Sequence, residues 1–291
     1  MNFNHLLIFH KVAEKEHFTR AAEALFISQP AVSKQIHELE RTIGQPLFSQ
    51  VGRKVHLTEA GRTLFEYTQR IFALADEAES TLNDMHDLKR GRLAVGASTT
   101  IGTYLLPELL GEYRKQYPHI ELFLDIANAS EVQERLLLNR IEVGLIEGAV
   151  MQNELFKREW RQDELVLITT PASPFASKKR LTLKSVYTEP FILREPGSGT
   201  RTVLTEALDA RGLRPLTPFM ELGSTEAIKQ AVAAGLGIAF VSEHTIKLEL
   251  ATHLLRRVPL TDFTLTRPLY IVYPRQKRLS RAAQMFLALI D

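Results

Sequence analysis

One long amphipathic helix, predicted from Thr58 to about Leu88, is the sequence feature that most constrains this chain. The stretch has no proline and no glycine after Gly61, and at 1.5 Å per residue it would be about 45 Å long. Apolar side chains recur along it in steps of three and four, the spacing that pairs two helices. This seam consists of Leu57, Ala60, Leu64, Tyr67, Ile71, Leu74, Ala78, Leu82 and Met85. The helix therefore predicts a homodimer formed through residues 58–88, and it separates a short N-terminal segment from a much longer C-terminal one.

Three short helices are predicted before the long one. Apolar residues at helical spacing indicate a first helix that ends near His17. Thr19 is the expected N-cap of the second helix. The third runs from its N-cap Ser28 to Gly44, with Pro30 tolerated in its first turn. A tight turn therefore joins the second helix to the third.

The third helix carries a polar and cationic face. Two helices joined by a tight turn, the second with such a face outward, form the arrangement that enters the major groove of DNA. Glutamine pairs with adenine, lysine reaches guanine or a phosphate, and serine and histidine reach base edges or phosphates. We therefore expect contacts to double-stranded DNA from Thr19, Ser28, Gln29, Pro30, Ser33, Lys34 and His37. The alternative is a solvated face on an ordinary helix, which is the more common explanation of this periodicity taken alone.

A two-stranded wing is predicted after the third helix, in the segment PLFSQVGRKVHLTEAG. Its turn holds Gly52, Arg53 and Lys54 between two short apolar stretches. Cations at the tip of a wing lie against the phosphate backbone of DNA. Arg53 and Lys54 are therefore added to the expected DNA contacts.

The stretch FTRAAEALFISQPAVSKQIHELERTIGQPLF, followed by LTEAG, resembles the DNA-binding half of LysR-type transcription regulators. This signature is long and specific, and with it the solvated-face alternative becomes the weaker one. The family usually has an arginine two residues after the LF pair, where this chain has Gln50. One phosphate contact is lost by that difference, and Arg53 or Lys54 is the expected substitute.

The resemblance implies a winged helix-turn-helix over residues 1–58 and a linker and dimerisation helix over 59–89. It also implies a sequence-specific regulator, usually an activator, that pairs dimers into a homotetramer and has RNA polymerase as a further partner. The two recognition helices of a dimer lie one DNA turn apart, roughly 34 Å. The family target is an interrupted inverted repeat upstream of the regulated genes.

The remaining residues alternate strands with helices from Leu93 onward, which predicts a parallel sheet with helices on both faces. A last strand, PLYIVYP, and a C-terminal helix over 279–290 have no partner in this pattern. The region resembles the effector domain of the same family, which is like a type 2 periplasmic binding protein with two α/β lobes. That resemblance assigns 90–291 to this domain, with lobe one at 91–162 and 268–291 and lobe two at 163–267. The whole chain is thus expected to be an α+β multidomain protein.

Polar residues follow several of the predicted strands, where ligands of open α/β sheets bind. The expected effector contacts are Ser98, Thr99, Thr100, Asn128, Ser130, Glu147, Gly197, Ser198, Gly199, Thr200 and Ser224. Donors at helix N-termini suit an anion. The alternative for each serine or threonine is a simple N-cap without a ligand. Glu147 accepts a hydrogen bond from the ligand or from hydroxyls, or is solvated, and Arg201 is a ligand contact or a surface or interface charge.

The phrase EPGSGTR together with ASTTIGTYLLPELL resembles the branch of the family that controls sulfur assimilation or carbon-fixation operons. This resemblance implies a small oxyanion such as sulfite or sulfate, or a phosphorylated or carboxylated metabolite. No cofactor is expected beside that effector.

Composition argues against the main alternatives. The net charge is only +2 and there is no cysteine, which excludes a basic nucleic-acid coat, disulfides and thiolate metal sites. An enzyme is disfavoured because no histidine stands at a credible spacing to act as a base for Ser198, Glu147 or Glu195, and the histidine spacing also argues against a metal site. We find no secretory signal and no membrane span, so we expect a cytoplasmic protein rather than a secreted binding protein.

Overall fold

The computed structural model describes residues 2–51, 54–86, 91–178 and 180–291, without the side chains of 50, 51, 54, 76, 77 and 79–86. The chain divides into two compact units. The first comprises the described part of residues 1–82 together with 138–140, and the second comprises the described part of the rest.

The first unit contains the three predicted helices, the wing and the long helix. Their bounds are α1 Phe3–Lys15, α2 Phe18–Ala24, α3 Gln29–Ile43, β1 Phe48–Val51, β2 Lys54–Leu57 and α4 Glu59–His86. The two strands pair antiparallel, from Phe48 opposite Leu57 to Val51 opposite Lys54. The apolar faces of α1, α2 and α3 form one buried core. The predicted end of the long helix, Leu88, lies outside the described residues.

The caps of α3 are those that the sequence predicts. The Ser28 hydroxyl accepts a hydrogen bond from the backbone N–H of Ala31 at 3.4 Å. At the other end Gly44 has φ +80°, a left-handed conformation that glycine adopts without steric cost. Both ends of the predicted recognition helix are therefore fixed by local sequence.

The predicted N-cap of α2 is wrong. The cap is His17, whose Nδ1 accepts from the backbone N–H of Thr19 at 3.2 Å, and the helix already includes Phe18. Phe18 enters the helix because its ring packs edge to face on Phe48, with 5.6 Å between ring centroids. Tertiary packing thus begins the helix before Thr19, which lies exposed within it.

Some residues of the apolar seam pack on the core of their own unit, and others are exposed. Leu57 lies in β2, and Ala60, Leu64 and Ile71 pack on the core of their own unit. Tyr67 and Leu74 are 58% and 61% exposed, and Ala78 is exposed as well. The side chains of Leu82 and Met85 lie outside the described residues. Part of the predicted dimer seam therefore stabilises the helix-turn-helix itself, because the first turns of α4 cover the core that α1 and α3 leave open.

The second unit is built from alternating strands and helices. Its elements are β3 Gly91–Ser98, α5 Thr99–Tyr104, α6 Leu106–Gln116, β4 Ile120–Ala127, α7 Ala129–Leu137, β5 Val143–Glu147, β6 Leu155–Thr169, α8 Leu183–Val186, β7 Ile192–Arg194, α9 Gly199–Asp209, β8 Met220–Leu222, α10 Thr225–Ala233, β9 Ala239–Ser242, a 3-10 helix Glu243–Thr245, α11 Lys247–Ala251, β10 Arg256–Val258, β11 Leu265–Pro274 and α12 Arg281–Ile290.

One sheet runs through both lobes. Its strand order is β10, β6, β11, β5, β3, β4, and β9 also pairs with β6. The strands β4, β3 and β5 are parallel, whereas β11 and β6 are antiparallel to their neighbours. The predicted parallel pairing therefore holds for β3 with β4 and β5 and for β7 with β8, and it is wrong at β11 and β6, the two strands that pass between the lobes.

The strand β6 is longer than its sequence suggests. Its apolar part, LVLITT, is the predicted strand, but the pairing with β11 begins at Leu155. The intervening segment is mostly exposed and rich in charged residues, so it shows neither alternation nor an apolar run. The predicted helix up to Tyr117 is likewise two helices, because Pro107 lies in the first turn of a new helix that begins at Leu106.

Each lobe has its own buried core. In lobe one, Leu93, Val95 and Ile271 pack with Phe286 of α12, and the Tyr113 hydroxyl donates to the carbonyl of Ala282 at 2.9 Å. In lobe two the core is formed around β6, β7, β9 and α9. The C-terminal strand and helix thus find their partners in lobe one. The residue limits given above for the domains and lobes stay predictions.

Candidate recognition helix and inter-lobe cleft

The polar face of α3 is exposed or half-buried and is made of side chains close together in sequence. Gln29 donates from Nε2 to the hydroxyl of Ser33 at 2.8 Å, and His37 Nδ1 lies 3.3 Å from the Glu40 carboxylate. Lys34 is exposed beside them, as is Pro30. Among the predicted contacts, Ser28 is engaged in capping the helix. Gln29, Lys34 and His37 are exposed and carry donors or acceptors, as groove contacts require.

The wing is held against α3 by a residue that the sequence reasoning did not single out. Glu40 accepts from the backbone N–H groups of Leu47 and Phe48 at 2.8 and 3.4 Å. Thr58 adds a bond from its hydroxyl to the carbonyl of Pro46 at 2.7 Å. These bonds fix where the wing begins. Its tip residue Arg53 lies outside the described residues, and nothing is described of the Lys54 and Gln50 side chains, so their contacts stay predictions.

In the second unit, strand ends from both lobes meet at one cleft. A Cβ on Gly199 would lie 2.2 Å from the carbonyl oxygen of Glu147, so the start of α9 touches the end of β5. The Ser130 hydroxyl donates to the carbonyl of Gly197 at 3.5 Å, and a Cβ on Gly197 would lie 3.5 Å from Asn128 Oδ1. The predicted effector residues of these three loops are therefore neighbours.

Some of the predicted effector residues already have local partners. Asn128 accepts from the N–H of Glu131 at 2.9 Å, and Ser224 accepts from the N–H of Ala227 at 3.1 Å. Ser98 donates to the carbonyl of Leu145 at 3.5 Å. The capping alternative thus accounts for Asn128 and Ser224, and their ligand contacts stay predictions.

Arg267 lies between the two lobes and is 0% exposed. Its Nε donates to Asp163 at 2.8 Å, and its Nη atoms donate to the hydroxyls of Thr200 at 2.8 Å and Thr100 at 3.4 Å. Glu147 lies 3.5 Å from it. Thr100 and Thr200, predicted as ligand contacts, are therefore held by one guanidinium between the lobes.

Arg194, at the end of β7, is the second buried arginine of the cleft. It donates to both carboxylate oxygens of Glu195 at 2.7 and 2.9 Å. It also reaches the hydroxyls of Thr225 at 3.1 Å and, across the cleft, Thr99 at 3.4 Å. Its own carbonyl accepts from Arg201 at 2.8 Å, so Arg201 supports the cleft from lobe two and pairs with Glu221.

A buried lysine also bridges the lobes. Lys229 on α10 donates to the hydroxyl of Tyr104 on α5 at 2.7 Å, to the carbonyl of Thr245 at 2.8 Å and to Glu249 at 2.6 Å. The three contacts satisfy all three ammonium protons. Lys229 therefore ties α5 to lobe two beside the cleft.

Two polar atoms at the cleft are buried and have no partner among the described residues. They are the Ser198 hydroxyl at the N-cap of α9 and Oε2 of Glu147. The Ser198 side chain makes no capping bond. Burial raises the pKa of the Glu147 carboxyl, although the charges of Arg267 and Arg194 oppose that shift. Buried polar atoms without partners are rare in folded proteins.

The buried cations were the residues that sequence reasoning missed. Arg194, Arg267 and Lys229, with Asp163, were not among the predicted site residues. Lys, Arg and Asp are almost never fully buried unless paired, and a charge inside an apolar strand segment such as FILR is the signal that could have found Arg194.

The described part of the chain offers no group of three histidine or acidic side chains placed to hold a metal ion. Within the same ranges, no helix combines the length and apolarity of a membrane span.

A winged helix-turn-helix unit together with a two-lobed α/β unit defines a class of DNA-binding regulators that carry a ligand-binding domain. Residues 3–62 match the bacterial regulatory helix-turn-helix proteins of the lysR family, and residues 86–291 match the LysR substrate binding domain. The chain belongs to the LysR family of transcription regulators. The predicted family and fold class are thereby confirmed.

Carbon-fixation regulators are among its relatives. The chain is 38% identical to the HTH-type transcriptional activator CmpR of Synechocystis, over 96% of this chain and 91% of that protein. It is 36% identical to the RuBisCO operon transcriptional regulator of Allochromatium vinosum, over 98% and 94%. The solved CcmR regulatory domain of Synechocystis in complex with 2-PG has a TM-score of 0.64 and 32% identity, covering 69% of this chain and 96% of that one.

Proposed function

We propose that this regulator is controlled by a small anionic metabolite bound between its two lobes, and that it acts as an activator. The candidates are sulfite, sulfate, and phosphorylated or carboxylated metabolites. The observation that carries this proposal is the pair of unpartnered buried atoms, Ser198 Oγ and Glu147 Oε2, beside two arginines.

The start of α9 supports an anion. The helix begins at Gly199, directly after Gly197 and Ser198. Free N–H groups at a helix N-terminus attract negative charge. Gly199 leaves no room for a side chain against Glu147, so the backbone itself borders the cleft. Arg194, paired with Glu195, places a guanidinium at the adjacent strand end.

Glu147 is the carboxylate of the cleft that would repel an anion. Burial raises its pKa, although the charges of Arg267 and Arg194 oppose that shift, so burial disfavours the charged form that causes the repulsion. The relative named CcmR is solved in complex with 2-PG, which supports a small anion for this chain as well.

Regulation follows from differential binding. A ligand that bridges residues of both lobes favours one lobe arrangement and shifts the population only as far as its affinities for the two arrangements differ. We propose that dimers, formed in part by the exposed face of α4 around Tyr67 and Leu74, pair into tetramers on an interrupted inverted repeat. Ligand binding then changes DNA bending and contact with RNA polymerase. Identical footprints and identical bending with and without the anion would contradict this coupling.

The experiment is a thermal-shift titration of the full-length protein with sulfite, sulfate, inorganic phosphate and 2-PG. A ligand at a hundred times its Kd stabilises the folded state by about 2.7 kcal/mol. Ser198→Ala should abolish the shift while leaving the melting temperature without ligand unchanged, because Ser198 makes no capping bond.

Ser185→Ala, an exposed serine on α8, is the matched control and should keep the full shift. A ligand-induced thermal shift that persists in Ser198→Ala would show that the ligand does not bind at the N-terminus of α9. No shift with any of the four anions would reject the anion proposal.

A further inference from the structure

Glu195 occupies Arg194 in the way that an anionic ligand would. Its Oε2 accepts from Nε at 2.7 Å and its Oε1 accepts from Nη2 at 2.9 Å. Both carboxylate oxygens thus lie on one edge of the guanidinium. Phosphates, sulfates and ligand carboxylates present two oxygens to arginine in this same bidentate geometry. The carboxylate therefore fills the edge of Arg194 that such an anion requires.

Arg194 itself is fixed in place. Its Nη1 donates to the Thr225 hydroxyl at 3.1 Å, and its Nη2 reaches the carbonyl of Gly223 and the Thr99 hydroxyl, each at 3.4 Å. Its side chain is buried from solvent. The arginine cannot leave the cleft without breaking contacts on both lobes, so an exchange of partners must come from the carboxylate.

Glu195 is free to make that exchange. Its side chain is 22% exposed, and among the described residues it accepts hydrogen bonds from Arg194 alone. The other cleft arginine differs, because Arg267 and its partner Asp163 are both 0% exposed. Asp163 is also held by the Ser242 hydroxyl at 2.6 Å. Of these two ion pairs, only the one between Arg194 and Glu195 has a partner that can turn into solvent.

We infer that Glu195 competes with the ligand for Arg194 and thereby determines which anions the cleft accepts. This inference rests on the proposed anion site. Because Glu195 is the next residue in the chain, its local concentration at Arg194 is high. A monoanion with two oxygens carries the same charge as the Glu195 carboxylate and therefore has no electrostatic advantage over it. An anion with a second charge or additional contacts to α9 displaces it, so the pair discriminates against simple monocarboxylates.

The test is isothermal titration of full-length wild type and Glu195→Gln with inorganic phosphate, 2-PG and acetate. Glutamine keeps the shape and removes the competing charge. We expect about a tenfold to hundredfold gain in affinity for phosphate and 2-PG, the range of a charge-assisted hydrogen bond. Binding of acetate should become measurable, so the difference between the affinities for phosphate and for acetate should become smaller.

Glu221→Gln is the matched control, because it removes the same charge from another arginine pair of lobe two, that of Arg201. It should change the affinities less than Glu195→Gln does. Glu195→Ala provides a second variant, with the melting temperature without anion reporting on folding. Both Glu195 variants should bind tighter.

Two results would overturn the competition. Equal affinities in Glu195→Gln and Glu221→Gln would show that only general charge matters. A weaker affinity in both Glu195 variants would make Glu195 a ligand contact. In either case anion binding by wild type leaves the proposed function standing. If wild type and all variants bind none of the three anions, both proposals fail together.

Discussion

The recognition helix and the inter-lobe cleft place their polar residues in opposite ways. On α3 the polar residues are exposed or half-buried and lie within a few positions of one another, as Gln29 and Ser33 do. In the cleft they are buried, and Arg267 bonds to Asp163 at a separation of 104 residues. Loss of an exposed polar side chain on α3 should therefore affect binding with little effect on folding, whereas loss of a buried charge in the cleft should affect both.

The largest effect is expected from Arg267→Met. It leaves Asp163 and Glu147 buried without the charge that compensates them, and breaking a buried ion pair costs about 3–5 kcal/mol. Chemical denaturation of the full-length protein, followed by circular dichroism, measures the loss. Arg158→Met, which removes an exposed pair with Asp291, is the control and should cost less than about 1 kcal/mol. Equal losses of stability in the two variants would show that the buried ion pair contributes no more to stability than the exposed one.

A smaller effect, and one on binding alone, is expected from Gln29→Ala. Loss of a base contact weakens specific DNA binding by about 1–3 kcal/mol, while the melting temperature should stay unchanged because Gln29 is exposed. Fluorescence anisotropy with a duplex enriched from a random-sequence pool measures the affinity. Lys15→Ala, at the end of α1, serves as control. A drop in melting temperature with unchanged affinity would assign Gln29 to the fold.

Two serines at helix N-caps provide a matched pair between the regions. The Ser28 hydroxyl caps α3, so Ser28→Ala should destabilise the first unit by about 1 kcal/mol. The Ser198 hydroxyl makes no such bond, so Ser198→Ala should leave unfolding unchanged. Differential scanning calorimetry of both variants without ligand makes the comparison. A larger loss at Ser198 would mean that its hydroxyl supports the fold.

The smallest expected effect is a change in how stability depends on pH. The pKa of Glu147 is raised by burial above its ordinary value of 4.5, so the stability that it contributes is complete below that value and is lost as pH rises toward its folded pKa. Glu147→Gln removes the titration. Its melting temperature should therefore gain on wild type as pH rises from 5 to 8 in a series of thermal melts. A constant difference across that range would show that Glu147 does not titrate there.

The sequence predicted the first region better than the second, for a physical reason. The caps, turn and polar face of α3 depend on residues a few positions apart, which periodicity and cap preferences detect. Strand ends likewise indicated Thr100, Thr200 and Ser198. Arg194 and Arg267 escaped because a buried charge is tolerated only with its partner, and that partner is fixed by the tertiary fold. The early start of β6 escaped because its exposed charges hide the strand pattern.

The antiparallel pairing of β6 with β11 bears on how the protein can be observed in solution. The register shifts between Leu269 and Tyr270, which leaves Trp160 as the extra residue of a bulge. Trp160 is the single tryptophan of the chain, and its indole donates to the carbonyl of Ile290 at 2.9 Å. The bulge lies next to the place where β6 and β11 cross from one lobe to the other. The tryptophan fluorescence of the unlabelled protein therefore arises from one indole near the predicted lobe boundary, and its emission spectrum is a direct optical signal of local rearrangement there.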